Sequence, residues 1–259
     1  MPELPEVETL IRTLRPHVEG RRIERVEYLW PRAAGGRPEE MVARLAGRRI
    51  LRLDRHGKHL LFALDEGWLD VHLRMTGKLL AGAARPEYLR ARIVMDKGAL
   101  EFEDVRQFGL LLWRAERPPL GADALELSAE EFVRLIRARR GRLKPLLLNQ
   151  GVLAGVGNIY CDEALFRAGL HPLAVAARVS RKRLEKLHTA LTEVLNEAIE
   201  AGGSSISDYV DADGRPGSFQ EKHLVYGREG EPCPRCGSPI RRIVVGQRGT
   251  HYCAKCQRP

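Results

Sequence analysis

The stretch KPLLLNQGVLAGVGNIYCDEALF, residues 144–166, decides how the second half of the chain is interpreted. It contains two apolar segments with helical spacing, separated by a glycine-rich loop. The glycines leave backbone N–H groups open, and the second helix begins at Gly157–Asn158, which supplies the positive end of a helix dipole. The pattern therefore indicates a helix pair that binds phosphate without sequence preference. An ordinary glycine-rich helical turn has the same pattern.

Helices are also predicted on both sides of this pair. Ser128 and Glu131 form a capping box ahead of EEFVRLIRARR. A long helix, RKRLEKLHTALTEVLNEAIEA, follows Ser180 and ends at Gly202–Gly203. Residues 204–219 then form a polar loop that is longer than packing requires, which is typical of a functional segment.

Four of the five cysteines fall as Cys233-x2-Cys236 and Cys253-x2-Cys256. Two such turns facing each other provide the four thiolates of a tetrahedral zinc site, and a ribbon of this size needs its metal to fold. We therefore predict one structural Zn²⁺. Two disulfides are the alternative, which the lack of a visible secretory signal disfavours. Arg248 is expected at the tip of a β-hairpin between the two pairs, either as a solvated turn residue or as an arginine held for insertion at DNA.

The first half of the chain has a different pattern. A helix is predicted over residues 5–15, with Pro16 at its end, and residues 21–113 consist of short segments that suggest a β-sandwich or barrel. The stretch ERPPLGADALE (116–126) has the composition of a linker. The predicted domains are residues 1–115, a linker at 116–127, a helical domain at 128–227, and a zinc ribbon at 228–259.

The charge of the chain favours an anionic partner. Lysine and arginine outnumber aspartate and glutamate by 43 to 34 in 259 residues, which gives a formal net charge of +9. Seven of these cations lie between Arg228 and Pro259, against two glutamates. Nucleic acid is the commonest large anion that such a surface binds, although many basic proteins merely carry a solvated basic face. No apolar run approaches the length of a membrane span, so we expect no membrane contact and a cytoplasmic protein.

The amino terminus, MPELPEVETL, has a possible chemical role. Removal of the initiator methionine leaves Pro2 with a secondary amine, and an α-amino group that titrates near ~8 is partly unprotonated at neutral pH. Such an amine can attack an electrophilic carbon and form an iminium with an aldehyde. Glu3 and Glu6 lie within one helical turn and could move protons or stabilise a cation. The structural alternative is an ordinary helix start, where proline and glutamate are both favoured.

Four blocks of the sequence together resemble the formamidopyrimidine-DNA glycosylase family of bacterial repair enzymes. They are MPELPEVET, HLRMTG, GVGNIYCDEALFRAGLHP and the terminal cysteine ribbon, in the family's order along the whole chain. The resemblance implies an α+β fold with an N-terminal helix plus β-sandwich domain, a helix–two-turn–helix domain and a zinc ribbon with four cysteine ligands. It also implies a bifunctional glycosylase/AP lyase that excises oxidised purines such as 8-oxoguanine from duplex DNA, acting as a monomer associated with the nucleoid.

The resemblance assigns roles to individual residues. Pro2 would attack C1′ of the damaged nucleotide, Glu3 would protonate the sugar ring oxygen, Glu6 would help to hold the site, and Lys58 would bind phosphate beside the lesion. Residues that fill the space left by the flipped nucleotide would be Met75, Arg106 and Phe108. Further DNA contacts would be His72, Lys144, Asn158, Tyr226 and Arg248.

The chain departs from the family at DVRQFG (104–109), where Asp-Pro-Arg-Arg/Lys-Phe-Gly is expected. Val105 removes a rigid turn and Gln107 removes a charge, so this loop is expected to be more mobile or to prefer a different opposite base. Two other functions stay open. An endonuclease VIII-like glycosylase for oxidised pyrimidines shares the fold, although Leu4 and the long loop argue against it, and a zinc-ribbon protein could bind DNA without catalysis.

Overall fold

The computed structural model describes residues 2–82, 84–206 and 209–259. The chain divides into two compact units. Unit 1 comprises Met1–Pro119 and Ala201–Ser218, and unit 2 comprises Leu120–Glu200 and Phe219–Pro259. The segment Ala201–Ser218 thus packs with the amino-terminal half, although the chain reaches it only after the long helix of unit 2.

Unit 1 begins with helix α1, Leu4–Val18. Its buried stripe contains Val7, Leu10, Ile11 and Leu14, as the sequence pattern predicts. The prediction that the helix ends at Pro16 is wrong. It continues because Val18 is fully buried and the N–H of Glu19 donates to the carbonyl of Arg15 at 3.1 Å. A second helix in unit 1, α2 (Pro38–Leu45), was not predicted.

The described residues of unit 1 also form two four-stranded antiparallel sheets. One has the order β1-β6-β7-β5 and the other the order β2-β3-β4-β8. The strands are β1 (Ile23–Tyr28), β2 (Ile50–His56), β3 (His59–Leu64), β4 (Trp68–His72), β5 (Gly77–Leu80), β6 (Leu89–Met95), β7 (Ala99–Asp104) and β8 (Leu110–Arg114). Side chains from both sheets and from α1 share one core, which includes Leu14, Phe62 and Phe102. The α+β class and the sandwich are therefore confirmed.

Unit 2 is mainly helical. Its elements are β9 (Ala122–Asp123), α3 (Ala129–Arg137), α4 (Leu143–Leu147), β10 (Leu153–Ala154), α5 (Asn158–Ala168), α6 (Arg181–Glu200), β11 (Arg241–Val245) and β12 (Arg248–Tyr252). The predicted capping box is present, because the N–H of Glu131 donates to Ser128 Oγ at 3.3 Å and the N–H of Ser128 donates to Glu131 Oε2 at 2.9 Å. Strands β11 and β12 form the predicted hairpin. In the described part of the chain, no helix is long and apolar enough to cross a membrane.

Candidate active site

Pro2 and Glu3 lie directly before helix α1. Pro2 is buried, and Glu3 is only 3 % exposed. Glu3 and Glu6 form a reciprocal capping box, in which the N–H of Glu3 donates to Glu6 Oε2 at 2.7 Å. The capping box therefore fixes the backbone of Glu3, the residue that directly follows Pro2.

Glu6 connects this turn to the segment Ala201–Ser218. Its second oxygen, Oε1, accepts the N–H of Ser204 at 2.7 Å. The hydroxyl of Tyr209 donates to the backbone carbonyl of Glu6 at 2.9 Å, and burial raises the pKa of Tyr209 above its usual range, which keeps that hydroxyl protonated. The Glu6 carboxylate thus accepts two backbone N–H groups that are far apart in sequence, and it fixes Glu3 and Ser204 relative to each other. The assignment of Glu6 to the catalytic set stays a prediction.

Glycines allow the segment to approach α1 closely. Gly203 has a φ of +85°, and a Cβ there would lie 2.9 Å from Glu6 Cγ. A Cβ on Gly217 would lie 2.2 Å from the carbonyl oxygen of Gly203. Near the middle of the segment, Ala212 belongs to the core of unit 1. The described ends of the predicted loop 204–219 are therefore anchored; Ser207 and Asp208, inside that loop, lie outside the described residues.

Lys58 and His72 lie on neighbouring strand ends of one sheet. Lys58 is in the turn between β2 and β3 and is 4 % exposed. His72 ends β4, and its Nδ1 accepts the N–H of Arg74 at 3.0 Å. Burial, followed by the positive charges of His59 and Arg74, lowers the pKa of His72 to about 3. His72 is therefore neutral near pH 7, and because Nδ1 is an acceptor, the ring proton is on Nε2.

His59 and Asp70 contact each other beside the His72 ring. His59 contacts the His72 ring edge-on at 4.5 Å between centroids, and its Nδ1 lies 2.6 Å from Asp70 Oδ1. Asp70 also accepts a hydrogen bond from Arg114 Nε at 2.6 Å. Burial would raise the pKa of Asp70, but the hydrogen bonds from His59 and Arg114 lower it below its ordinary value. These support residues gave no signal in the sequence, because only the strand pairing places them together.

The predicted void-filling residues lie on two loops of unit 1. Met75 follows β4 and is partly buried, whereas Phe108 follows β7 and is 50 % exposed. The guanidinium carbon of Arg106 lies 5.1 Å from the centroid of the Phe108 ring. Because its ring is half exposed and lies beside an arginine, Phe108 is not a core residue.

In unit 2, helix α5 begins at Asn158, next to the hairpin of β11 and β12, which we call the zinc hairpin. Asn158 Nδ2 donates to the carbonyl of Gly249 at 2.9 Å. Lys144, predicted among the DNA contacts, is fully buried, and its ammonium lies 2.5 Å from Asp162 Oδ1. A buried ammonium paired with a carboxylate is not presented to a DNA phosphate. The described structure thus places Lys144 inside unit 2, where it contacts Asp162 of α5 and the carbonyl of Gly249 in the hairpin.

Two adjacent carboxylates of α5 accept backbone N–H groups from β12 and from residues 224–226. Asp162 Oδ2 accepts the N–H of His251 at 2.8 Å, in strand β12. Glu163 accepts the N–H groups of Leu224, Val225 and Tyr226. Burial raises the pKa of Glu163, and these three N–H groups counteract that effect. Sequence reasoning missed both carboxylates, because an acidic pair in a helix is ordinarily solvated.

Arg248 is exposed at the first position of β12. The hairpin turn before it consists of Gly246 and Gln247, with φ of 55° and 62°. Positive φ at both central residues is the two-residue turn that matches the twist of paired strands. The hairpin tip thus has a defined backbone, and Arg248 lies where the sequence pattern predicted it.

The four cysteines of the ribbon form a compact cluster. Their sulfur atoms all lie within 4.8 Å of one another. Cys233 Sγ is 3.9 Å from Cys256 Sγ, and Cys236 Sγ is 3.5 Å from Cys253 Sγ. A tetrahedral zinc ion bonded to four thiolates at about 2.3 Å requires sulfur–sulfur separations of about 3.8 Å. The cluster therefore fits Zn²⁺ and leaves no ligand position for a substrate.

Three family models match the chain in sequence order. The formamidopyrimidine-DNA glycosylase N-terminal domain matches residues 1–111, the formamidopyrimidine-DNA glycosylase H2TH domain matches residues 120–210, and the zinc finger found in FPG and IleRS matches residues 230–259. The formamidopyrimidine-DNA glycosylase of Solibacter usitatus is 52% identical over 264 residues and covers 100% of both chains. The chain belongs to the formamidopyrimidine-DNA glycosylase family. Its ribbon binds one structural Zn²⁺, as predicted.

Solved structures of the family agree with this fold. The crystal structure of MutM (Fpg) from Thermus thermophilus has a TM-score of 0.89 and 45% identity, and covers 99% of this chain and 98% of that one. A complex of Lactococcus lactis Fpg with DNA containing an abasic site has a TM-score of 0.90 and 34% identity, with 100% of both chains covered.

Proposed function

We propose that this protein is a bifunctional DNA glycosylase/AP lyase that removes oxidised purines from duplex DNA through a Schiff base at Pro2. The observation that carries the proposal is the amino-terminal turn. There, Pro2 and Glu3 are buried together at the start of a helix, and Glu6 accepts the N–H of Glu3. Damaged bases and abasic sites are the substrates that this chemistry fits.

In the first chemical step, the nitrogen lone pair of Pro2 forms a bond to C1′ of the damaged nucleotide, and the bond from C1′ to the base breaks. The base leaves with a proton. Protonation of the ring oxygen by Glu3 opens the sugar and produces an iminium between Pro2 and C1′. Because the nitrogen of a secondary amine keeps its positive charge in this adduct without further protonation, it withdraws electrons from C1′ and acidifies the protons on C2′.

The iminium then drives strand cleavage. Loss of a proton from C2′ expels the 3′ phosphate by β-elimination, and a second proton loss expels the 5′ phosphate by δ-elimination. Hydrolysis of the adduct releases the sugar fragment and regenerates the Pro2 amine. A carboxylate close to the developing cation favours both its formation and the proton transfers, which is the role we assign to Glu3.

Side chains of unit 1 and side chains of unit 2 would both bind phosphates of the DNA. In unit 1 these are Lys58 and the neutral His72, which offers its Nε2–H as a donor. In unit 2 they are Asn158, Tyr226 and Arg248, which the carboxylates of α5 and the hairpin turn support. Phosphate contacts fix the register of a protein on duplex DNA without reading its sequence. We further propose that the protein acts as a monomer, which analytical ultracentrifugation of the free protein and its DNA complex would test. We also propose that it acts in the bacterial cytoplasm on nucleoid DNA.

A panel of duplexes with one lesion each tests the substrate class. We expect faster strand cleavage at 8-oxoguanine and formamidopyrimidines than at thymine glycol, because Leu4 and the long loop 204–219 favour the purine branch. Faster cleavage at thymine glycol would instead support the pyrimidine glycosylase.

The nucleophile is tested by borohydride trapping, in which reduction of the iminium links protein to DNA. A chain that retains Met1 has its Pro2 nitrogen in a peptide bond, so we expect no trapped complex. Persistent trapping in that variant would refute the role of Pro2. A Pro2→Gly variant is the matched control, because its processed terminus has a primary amine that can still form a Schiff base.

A further inference from the structure

A buried carboxylate organises the loop that carries Arg106 and Phe108. Asp104, the last residue of β7, is 1 % exposed. Its Oδ2 accepts the N–H groups of Phe108 and Gly109, both at 2.8 Å. Its Oδ1 accepts the N–H of Arg106 at 3.2 Å. One side chain therefore fixes three backbone positions of the loop that follows it.

The hydroxyl of Thr76 ties this loop to the one that carries Met75. Thr76 Oγ1 donates to Asp104 Oδ1 at 2.5 Å and accepts the N–H of Arg106 at 3.0 Å. Thr76 directly precedes β5, where Gly77 is the register partner of Asp104. The side-chain bridge thus lies where the two strands meet, and it joins the loop that carries Met75 to the loop that carries Arg106 and Phe108.

Close packing requires glycine at position 109 in the second loop. A Cβ on Gly109 would lie 2.3 Å from Cζ of Phe102, a core residue. Gln107 adopts a φ of 62°, a left-handed conformation that a side chain other than glycine rarely takes. The loop therefore keeps a specific shape although Val105 and Phe108 are 43 % and 50 % exposed.

We propose that Thr76 and Asp104 are positioning residues that preorganise Met75, Arg106 and Phe108 for entry into the duplex beside a flipped nucleotide. The inference rests on the function proposed above. Ordering two loops at the moment of binding costs conformational entropy, and a preformed bridge removes that cost. The bridge also offsets the departure at Val105, where the family's proline would have restricted the same turn.

The bridge should matter most when an intact base must leave the stack. Extrusion of a paired base costs unstacking and unpairing energy, whereas an abasic nucleotide has no base to extrude. Loss of the bridge should therefore slow the excision of 8-oxoguanine more than it slows the processing of a preformed abasic site. A residue needed only for folding would impair both reactions to the same degree.

Thr76→Val and Thr76→Ser form a matched pair for the test. Valine keeps the branched shape without the hydroxyl, and serine keeps the hydroxyl. We expect Thr76→Val to lower single-turnover excision of 8-oxoguanine on the order of tenfold, as the loss of a hydrogen bond to a charged group implies. Borohydride trapping at a preformed abasic site should change by less than about twofold, and Thr76→Ser should recover excision. With 2-aminopurine opposite the lesion, the fluorescence rise on opening should be slower in Thr76→Val.

The outcomes separate this inference from the proposed function. Equal losses in excision and trapping by Thr76→Val, or no loss in either, would overturn the positioning role while wild-type activity stands. A wild-type protein that neither excises nor traps would overturn the proposed function, and this inference with it. Thermal unfolding of each variant checks the fold, and Thr76→Ala supplies a second hydroxyl deletion if Thr76→Val does not fold.

Discussion

Buried carboxylates hold both the amino-terminal turn of unit 1 and the zinc hairpin of unit 2, but their partners differ. Glu6 accepts backbone N–H groups from Glu3 and Ser204. Asp162 pairs with the ammonium of Lys144 and also accepts the N–H of His251. The first arrangement keeps an anion close to Pro2, where we propose that a cation develops. The second pairs its anion with a cation inside the protein, and we propose that the DNA contacts come from other residues.

Zinc removal should produce the largest difference between the two regions. Structural zinc in small fingers contributes about 10–16 kcal/mol of apparent binding free energy that is also folding free energy. We expect a strong chelator to unfold the ribbon, while the core of unit 1 remains folded. Hydrogen exchange measures both in one experiment: protection should disappear in β11 and β12 and persist in β3 and β7. Equal loss of protection in both regions would contradict this expectation.

The Lys144–Asp162 pair should give the next largest effect. Removal of one partner leaves an uncompensated buried charge, which costs about 3–5 kcal/mol of unfolding free energy. We expect Asp162→Asn or Lys144→Met to show this loss in denaturant titrations and to weaken DNA binding through the hairpin. The double variant should lose less than the sum of the single variants. Strict additivity would show that the two groups do not interact as the structure indicates.

Glu6→Gln tests the carboxylate of unit 1. A glutamine has one acceptor oxygen, so one of the two N–H groups of Glu3 and Ser204 would lose its partner, at a cost of about 1–3 kcal/mol. We expect a lower rate of trapping at abasic sites, with DNA affinity nearly unchanged. Glu8→Gln is the control, because the Glu8 carboxylate lies on the same helix and pairs with the guanidinium groups of Arg12 and Arg55. A drop in affinity with an unchanged rate would place Glu6 in binding instead.

His72 gives the smallest effect, and it depends on pH. Its pKa is about 3 in the folded protein, whereas the ordinary pKa of a histidine in an unfolded chain is 6.5. The unfolded state therefore binds the extra proton between these values, and stability falls as the pH decreases from 6.5 toward 3. Between pH 7 and pH 5, wild type should lose about 1–2 kcal/mol more than His72→Phe in urea titrations. Equal losses would show that His72 is not held neutral.

Local patterns predicted most of the secondary structure and the metal site. The spacing of the cysteines and the pairing of Ser128 with Glu131 are features of short sequence windows, and both appear in the structure as expected. Two features of the helices in unit 1 were not predicted correctly. Helix α1 continues through Pro16, and α2 was missed because its eight residues carry only two buried side chains, Met41 and Leu45.

The support around the site could not be predicted, because it depends on residues far apart in sequence. Glu6 and Ser204 are 198 residues apart, and Lys144 reaches its hairpin partner Gly249 across 105 residues. A lysine near a glycine-rich loop has the same sequence pattern whether it faces DNA or a buried carboxylate. Only the packing of α5 against β12 distinguishes the two.

The central claim is that Pro2 forms the covalent intermediate. Its most direct test is mass spectrometry of the borohydride-trapped complex after nuclease and trypsin digestion. Trypsin releases the amino-terminal peptide Pro2–Arg12, and we predict that the reduced sugar adduct lies on the nitrogen of Pro2 in that peptide. An adduct on a lysine-containing peptide, such as the one that includes Lys58, with Pro2–Arg12 unmodified, would contradict the account.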